Sequence, residues 1–150
     1  MSTTGKAQLL SPQDLGWKEV ISLDQKHFER AWSDNNWQEL NPQHHLVASW
    51  TKSDKILGFA LFHYLPGEDM AHLLKIMILE DFRKKGEASH FFNSLVKYLK
   101  SQNVSRVYLE VERSNFAAIN FYEKLGFKTL RVLKAYYSDG TDAQSMELTL

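Results

Sequence analysis

One change of period constrains this chain more than any other feature. From Ala88 to Leu99 the apolar residues Ala88, Phe91, Phe92, Leu95, Tyr98 and Leu99 recur at helical spacing, an i, i+3, i+4, i+7 stripe. From Val104 to Glu112 the period falls to two, with Val107, Leu109 and Val111 on one face and Tyr108, Glu110 and Glu112 on the other. Met70 to Leu79, ahead of the helix, also reads as a strand. A helix joining two adjacent strands is a crossover, and a crossover makes those strands parallel neighbours.

The remaining segments surround that unit with antiparallel structure. Leu46–Trp50 and Ile56–Leu65 are strand-like, separated by a polar turn over 51–55, and Pro66-Gly67-Glu68-Asp69 is a turn signal before the strand at 70. A helix is expected from about Asn115 to Leu125 with Gly126 as its stop, followed by strands at about 127–137 and 143–150. Ahead of the meander, Ser11-Pro12-Gln13-Asp14 has the form of a helix start, with Ser as N-cap and Pro at the first helical position. A second short helix is expected from Ser33 or Asp34 to before Asn41-Pro42. The expected class is mixed α/β: a mostly antiparallel sheet with a central parallel strand pair and helices on both faces.

Composition narrows the function. The 150 residues, 43% hydrophobic and 13% aromatic, suit a single domain over 1–150 with an ample core. There is no cysteine, which excludes disulfides, thiolate zinc and a cysteine nucleophile together. The six histidines show no metal spacing, so no metal is expected. Lys plus Arg equals Asp plus Glu at 18 each, too little basic excess for a nucleic-acid partner. No apolar run approaches the ~20 residues of a membrane span, and residues 1–10 lack a signal-peptide core. A soluble, cytoplasmic protein without a membrane partner is the expectation; oligomeric state is not legible.

The densest basic cluster, Arg83-Lys84-Lys85, precedes Gly86-Glu87-Ala88-Ser89 at the strand-to-helix junction. Glycine there lets backbone N–H groups approach a ligand, and a helix N-terminus carries about half a positive charge, so the junction favours an anion such as a phosphate. By itself, Gly-x-Ala also describes an ordinary loop.

Arg-x-x-Gly-x-Ala at 83–88, Ser114-Asn115, and Phe121-Tyr122-Glu123-Lys124-Leu125-Gly126-Phe127 together resemble the GNAT superfamily of N-acetyltransferases. Leu109-Glu110-Val111, Tyr136-Tyr137 before an Asp139-Gly140 turn, and Ala31-Trp32-Ser33 are most similar to its RimI-type ribosomal-protein alanine N-acetyltransferases. The resemblance implies a GNAT-like fold and acetyl-CoA as co-substrate. It implies that Ile76, Met77 and Ile78 meet the pantetheine arm through backbone groups. Arg83, Lys84, Lys85, Gly86, Glu87, Ala88 and Ser89 would form the pyrophosphate loop, and Asn115 would hydrogen-bond the cofactor. Glu110 is the implied general base and Tyr122 the implied general acid. Backbone N–H groups near Met77 could stabilise the oxyanion.

Outside the motifs the same residues read more plainly: Glu110 as a solvated carboxylate, Tyr122 as a core-edge helix residue, Asn115 as an N-cap. A Glu of ordinary pKa near 4.3 is a poor base for an α-amine of about 7.7–8.0, and burial would raise it. Three positions depart from the family pattern: Glu87 puts an acid in a phosphate loop, Ser89 replaces a basic residue, and Glu80 stands where Pro is common. His63 and His72 fall on adjacent strands and could assist proton movement or serve structure alone. Trp32 and Trp37 pack in the core or line a substrate cleft. The expected acceptor is a protein N-terminal amine, a ribosomal protein being the family-based case. A small amine or a lysine, and a non-catalytic acetyl-CoA-binding module, are the alternatives. Without cysteine there is no acetyl-cysteine intermediate, which leaves direct attack by the amine as the simpler route.

Overall fold

In the computed structural model, residues 5–65, 67–83 and 85–150 are described; Pro66 and Lys84, named above in the turn and the phosphate loop, lie outside them. Strands β1 (Lys6–Leu10), β2 (His45–Lys52), β3 (Lys55–Tyr64), β4 (Met70–Ile78), β5 (Arg106–Glu112), β6 (Lys128–Leu133) and β7 (Ala143–Thr149) form one sheet in the order β1-β2-β3-β4-β5-β7-β6. Every neighbouring pair is antiparallel except β4–β5, which the crossover helix α3 (Glu87–Ser101) makes parallel. Helices α1 (Gly16–His27) and α2 (Asp34–Gln38) cover one face; α3 and α4 (Phe116–Leu125) cover the other.

The two faces have separate cores because alternation sends successive strand residues to opposite sides. Leu46, Ala48, Phe62, Val107 and Leu109 pack with Phe91, Phe92, Leu95 and Leu99 of α3. Val47, Phe59 and Leu61 pack with Trp17, Val20 and Trp37 of α1 and α2. The β2–β3 hairpin turns through Ser53 and Asp54 at φ 53° and 60°, the type I′ form that matches strand twist. Gly126 ends α4 at φ 106°, and the Phe127 N–H donates back to the Tyr122 carbonyl.

The amino-terminal region differs from the sequence expectation. Ser11 does not cap a helix: the Asp14 carboxylate accepts from its N–H and its hydroxyl at 2.7 and 3.2 Å, closing a turn, and α1 starts only at Gly16. β1 is an additional edge strand whose largely exposed side chains carry no hydrophobic alternation. β6 stops at Leu133, short of 137, where Ala135 adopts φ 48° and its N–H turns to Asp142.

β3 and β4 approach each other closely at Gly58. A Cβ built there would lie 2.1 Å from the Met77 carbonyl oxygen and 3.0 Å from Ile78 Cα, both backbone atoms that cannot rotate away. Gly58→Ala is expected to force the strands apart and lower stability by about 1–3 kcal/mol. A urea midpoint unchanged from the parent would contradict this.

Candidate active site

A bulge in β4 builds the site. Leu61 pairs with Lys75 but Phe62 pairs with Leu73, so Leu74 is an extra residue. The insertion reverses the parity of the strand. Leu73 faces the α3/α4 core, whereas Lys75, two residues on, faces α1 and meets Asp24. Bulges also bend and twist a strand, and β4 pairs with β5 only from Met70↔Arg106 to His72↔Tyr108. The sheet therefore forks beyond His72 and Tyr108.

A channel of about 530 Å³ runs through the fork. It is lined by His27 and Phe28 at the end of α1, by Ile76, Met77 and Ile78 of β4, by Arg83 and Ala88, and by Asn115, Phe121 and Tyr122 of α4 and its cap. Of the residues singled out in the sequence, Ile76, Met77, Ile78, Arg83, Ala88, Asn115 and Tyr122 thus come together. Asn115 Oδ1 accepts from the Ala118 N–H at 3.2 Å, so the N-cap reading is realised at a position that also lines the channel. Arg83 folds back, its Nε donating to the Ile78 carbonyl at 2.7 Å.

Lys85, Gly86, Glu87 and Ser89 lie at the start of α3, beside Ala88. Gly86 sits at φ 79°, and no side chain caps the helix, leaving its first-turn N–H groups available to an anion. Glu87 does not intrude on that position. Trp50 Nε1 and Lys52 Nζ donate to its carboxylate at 2.6 and 3.0 Å, drawing it toward β2. Those bonds, the indole's foremost, hold its pKa below the usual carboxylate range. The acidic residue is neutralised where it stands.

Glu110 projects from the polar face of β5 at the fork. His72 Nε2 lies 2.5 Å from Glu110 Oε2, reaching from the last β4 residue paired with β5 to the residue two beyond its partner Tyr108. Burial pushes the Glu110 carboxyl up, but the hydrogen bond and charge of His72, with hydrogen bonds from Tyr136 and Tyr108, outweigh it. The result is a pKa below the usual range, the reverse of the rise that burial alone suggests. Burial and the Glu110 charge push the Tyr136 phenol up to about 12. Tyr122 on α4 stacks with Phe121 and Phe127 at 5.5 Å each, and burial raises its phenol well above the ordinary value.

On the α1/α2 face of the sheet lies a buried ion pair of which residue spacing gives no sign. Lys75 Nζ meets Asp24 Oδ1 at 2.5 Å and the Arg30 carbonyl at 3.0 Å. Asp24 Oδ2 accepts from the Trp32 N–H at 2.9 Å and Trp37 Nε1 at 3.1 Å. Burial lowers the Lys75 pKa more than its carboxylate partner restores it. Trp37 is thus core, and Trp32 stacks on it at 5.1 Å, half-buried beside His45. Among the described residues no group of His and acidic side chains has the geometry to hold a metal, and no helix is long and apolar enough to cross a membrane.

The forked sheet thus carries an uncapped helix N-terminus near one end of its channel and a His72-bridged carboxylate on β5. The profile of the Acetyltransferase (GNAT) family matches residues 13–127, and the chain belongs to that family. It is 43% identical over 91 residues to an N-alpha-acetyltransferase of Saccharolobus solfataricus, covering 59% of this chain and 54% of that one. The chain thus spans about half the length of this relative. It is 29% identical over 131 residues to the [Ribosomal protein bS18]-alanine N-acetyltransferase of Salmonella typhimurium, covering 86% and 84% of the two chains. The crystal structure of the ribosomal-protein-S18-alanine N-acetyltransferase from Escherichia coli superposes with a TM-score of 0.83 at 28% identity, covering 97% and 94%.

Proposed function

We propose that this chain transfers the acetyl group of acetyl-CoA directly to a primary amine, and that the amine is the α-amino group at a protein amino terminus. The observation that carries the reading is the fork itself. It opens a channel between an uncapped helix N-terminus and the edge of β4, with Tyr122 in its wall and Glu110 beside it. The relatives named for N-terminal acetylation support the choice of amine.

Each part of the channel has a task. The N–H groups at the start of α3, with Gly86, Ala88 and Ser89, hold the pyrophosphate, assisted by the basic side chains Arg83 and Lys85. Backbone groups of Ile76, Met77 and Ile78 pair with the pantetheine arm, and Asn115 adds a side-chain hydrogen bond. The residues present fit such a substrate, since the acid in the loop is already bound by Trp50 and Lys52. That arrangement answers the departure at Glu87, which together with Ser89 is the ground for a non-catalytic module.

An α-amine arrives largely as ammonium and must lose a proton before it attacks. Glu110, held below the usual carboxylate range, is a weak base alone, but its carboxylate touches the His72 ring, so the proton enters a two-residue hydrogen-bonded unit. The Glu110–His72 pair takes the first proton. The amine nitrogen then bonds to the thioester carbon while the carbon–sulfur bond breaks, and Tyr122 delivers a proton to the departing thiolate. The second amine proton recharges the phenol. Starting from an ammonium, the sum is one amide, one thiol and one proton released.

The test is free-thiol release with acetyl-CoA and a panel of acceptors. Peptides with a free amino terminus are expected to turn over. The same peptides with a blocked terminus and an internal lysine, and polyamines, are expected to give little signal. Activity confined to the latter would move the acceptor to a side-chain or small amine. No thermal stabilisation by acetyl-CoA far above a micromolar Kd would overturn both enzyme and binding readings, because a ligand at 100 Kd stabilises by about 2.7 kcal/mol.

A further inference from the structure

Arg30, in the segment between α1 and α2, belongs to none of the motifs. It nevertheless ties together the parts that border Glu110. Its carbonyl is pinned from within by Lys75 Nζ at 3.0 Å. Its guanidinium reaches across the site to the turn between β6 and β7, 109 positions further along the chain. There Nη2 donates to Asp139 Oδ2 at 2.9 Å and Thr141 Oγ1 at 3.0 Å and lies 3.6 Å from Glu112 Oε1, while Cζ stacks 3.8 Å from the Tyr137 ring centroid.

The turn it grips is a closed unit. The Tyr137 N–H donates to the Thr141 carbonyl, the Gly140 N–H to the Tyr137 carbonyl, and Asp139 Oδ1 accepts from the Thr141 N–H and hydroxyl. Such a piece moves as one body, and it carries Tyr136, whose hydroxyl hydrogen-bonds to Glu110. With Asp139 and Glu112 against it, the guanidinium charge is already matched, so this is a fastening and not a free anion site. Its side chain is 35% exposed, and exposed ion pairs add little to stability, so the fold does not depend on it.

We propose that Arg30 is a positioning residue for the acceptor amine: by fastening the Tyr136–Thr141 turn to the α1–α2 segment, it holds one wall of the acceptor cleft and keeps Tyr136 on Glu110. The inference rests on the acetyl-transfer reading above. Misplacing that wall by about an ångström reduces productive encounters of amine and thioester by tenfold or more.

Arg30→Ala is the principal test. It is expected to lower kcat/KM for the acceptor about tenfold or more while the KM for acetyl-CoA stays within about twofold. Melting should stay within a few degrees of the parent. The groups facing Glu110 are His72 from β4, Tyr108 on its own strand, and Tyr136 with Tyr137 from the turn. Loosening Tyr136 removes one bond that lowers the Glu110 pKa, so the acid limb of the kcat/KM profile is expected to move to higher pH. Arg30→Lys keeps the charge but loses the planar fork and the stack, and should not restore activity. Tyr137→Leu should reproduce the loss, with no further loss in the Arg30→Ala, Tyr137→Leu double variant.

Equal losses for both substrates, additive losses in the double variant, or an unmoved acid limb would overturn the proposal. Amide hydrogen exchange of the free protein gives an arm that needs no acceptor. Residues 136–141 should exchange faster in Arg30→Ala while α3 does not change. Unaltered exchange there would sink the fastening even if no acceptor were found, whereas faster exchange in a protein without transferase activity would fault the functional reading instead.

Discussion

Asp24→Ala is expected to bring the protein close to global unfolding, with a loss of about 3–5 kcal/mol against a typical domain stability of 5–15 kcal/mol. The carboxylate is fully buried, and it accepts from the Lys75 ammonium, the Trp32 N–H and the Trp37 indole. Its removal strands a buried cation and two buried donors at once, and unpaired buried polar groups are among the costliest of single lesions. The attraction between the charges is not the source of the effect. Burial already lowers the Lys75 pKa despite its partner, so desolvation of the ammonium is incompletely offset. Asp24→Asn combined with Lys75→Met, which removes both charges and keeps an acceptor for the tryptophans, should accordingly be more stable than Asp24→Asn alone. Urea denaturation of the single and double variants checks this, and a double variant no better than the single would refute the stranded-cation account.

Tyr122→Phe is expected to lower kcat by roughly 10²–10⁴-fold, the usual worth of a positioned proton donor, with acetyl-CoA affinity little changed. The ring would still stack on Phe121 and Phe127, so packing is preserved and only the hydroxyl is lost. Burial raises its pKa, which keeps the phenol protonated but leaves it a weaker acid than a thiol of about 8.5, so donation must accompany carbon–sulfur cleavage, with the phenol recharged by the second amine proton. A variant with the parent's kcat would remove Tyr122 from the chemistry, and an equal loss in kcat and affinity would recast it as channel lining.

The two predictions differ in how their residues could be found. Tyr122 and Glu110 lie in segments whose local pattern is strong: a helix closed by Gly126 and a strand with clean alternation that sets Glu110 on its polar face. Asn115 is marked as an N-cap by the same local chemistry, and it caps α4. At Glu87 the sequence shows an acid among phosphate-binding residues but not the indole of Trp50, 37 positions earlier, that holds it. The helix start at Ser11 went astray for a related reason, since the Asp14 side chain bonds to Ser11 and closes a turn of its own.

His72 was visible as one histidine on a strand next to His63, but its partner was not. Alternation predicts the face a residue takes within its own strand, while the β4–β5 pairing brings the His72 side chain to Glu110, two residues beyond its partner Tyr108. The bulge at Leu74 is equally silent, and it alone turns Lys75 toward Asp24.

What the sequence by itself determined is the periodic skeleton and its consequence: a helix between two strands demands a parallel pair, and a glycine before that helix leaves its N-terminus open to an anion. These follow from hydrogen bonding and side-chain alternation within short stretches of chain. What only the tertiary structure decided is how residues far apart in the chain modify one another. The Asp24–Lys75 pair spans 51 positions and the Arg30–Asp139 fastening 109, and both depend on how the forked sheet brings distant segments together. The directions in which the Glu110 and Lys75 pKa values move are set there too, because desolvation and hydrogen bonding act through neighbours in space.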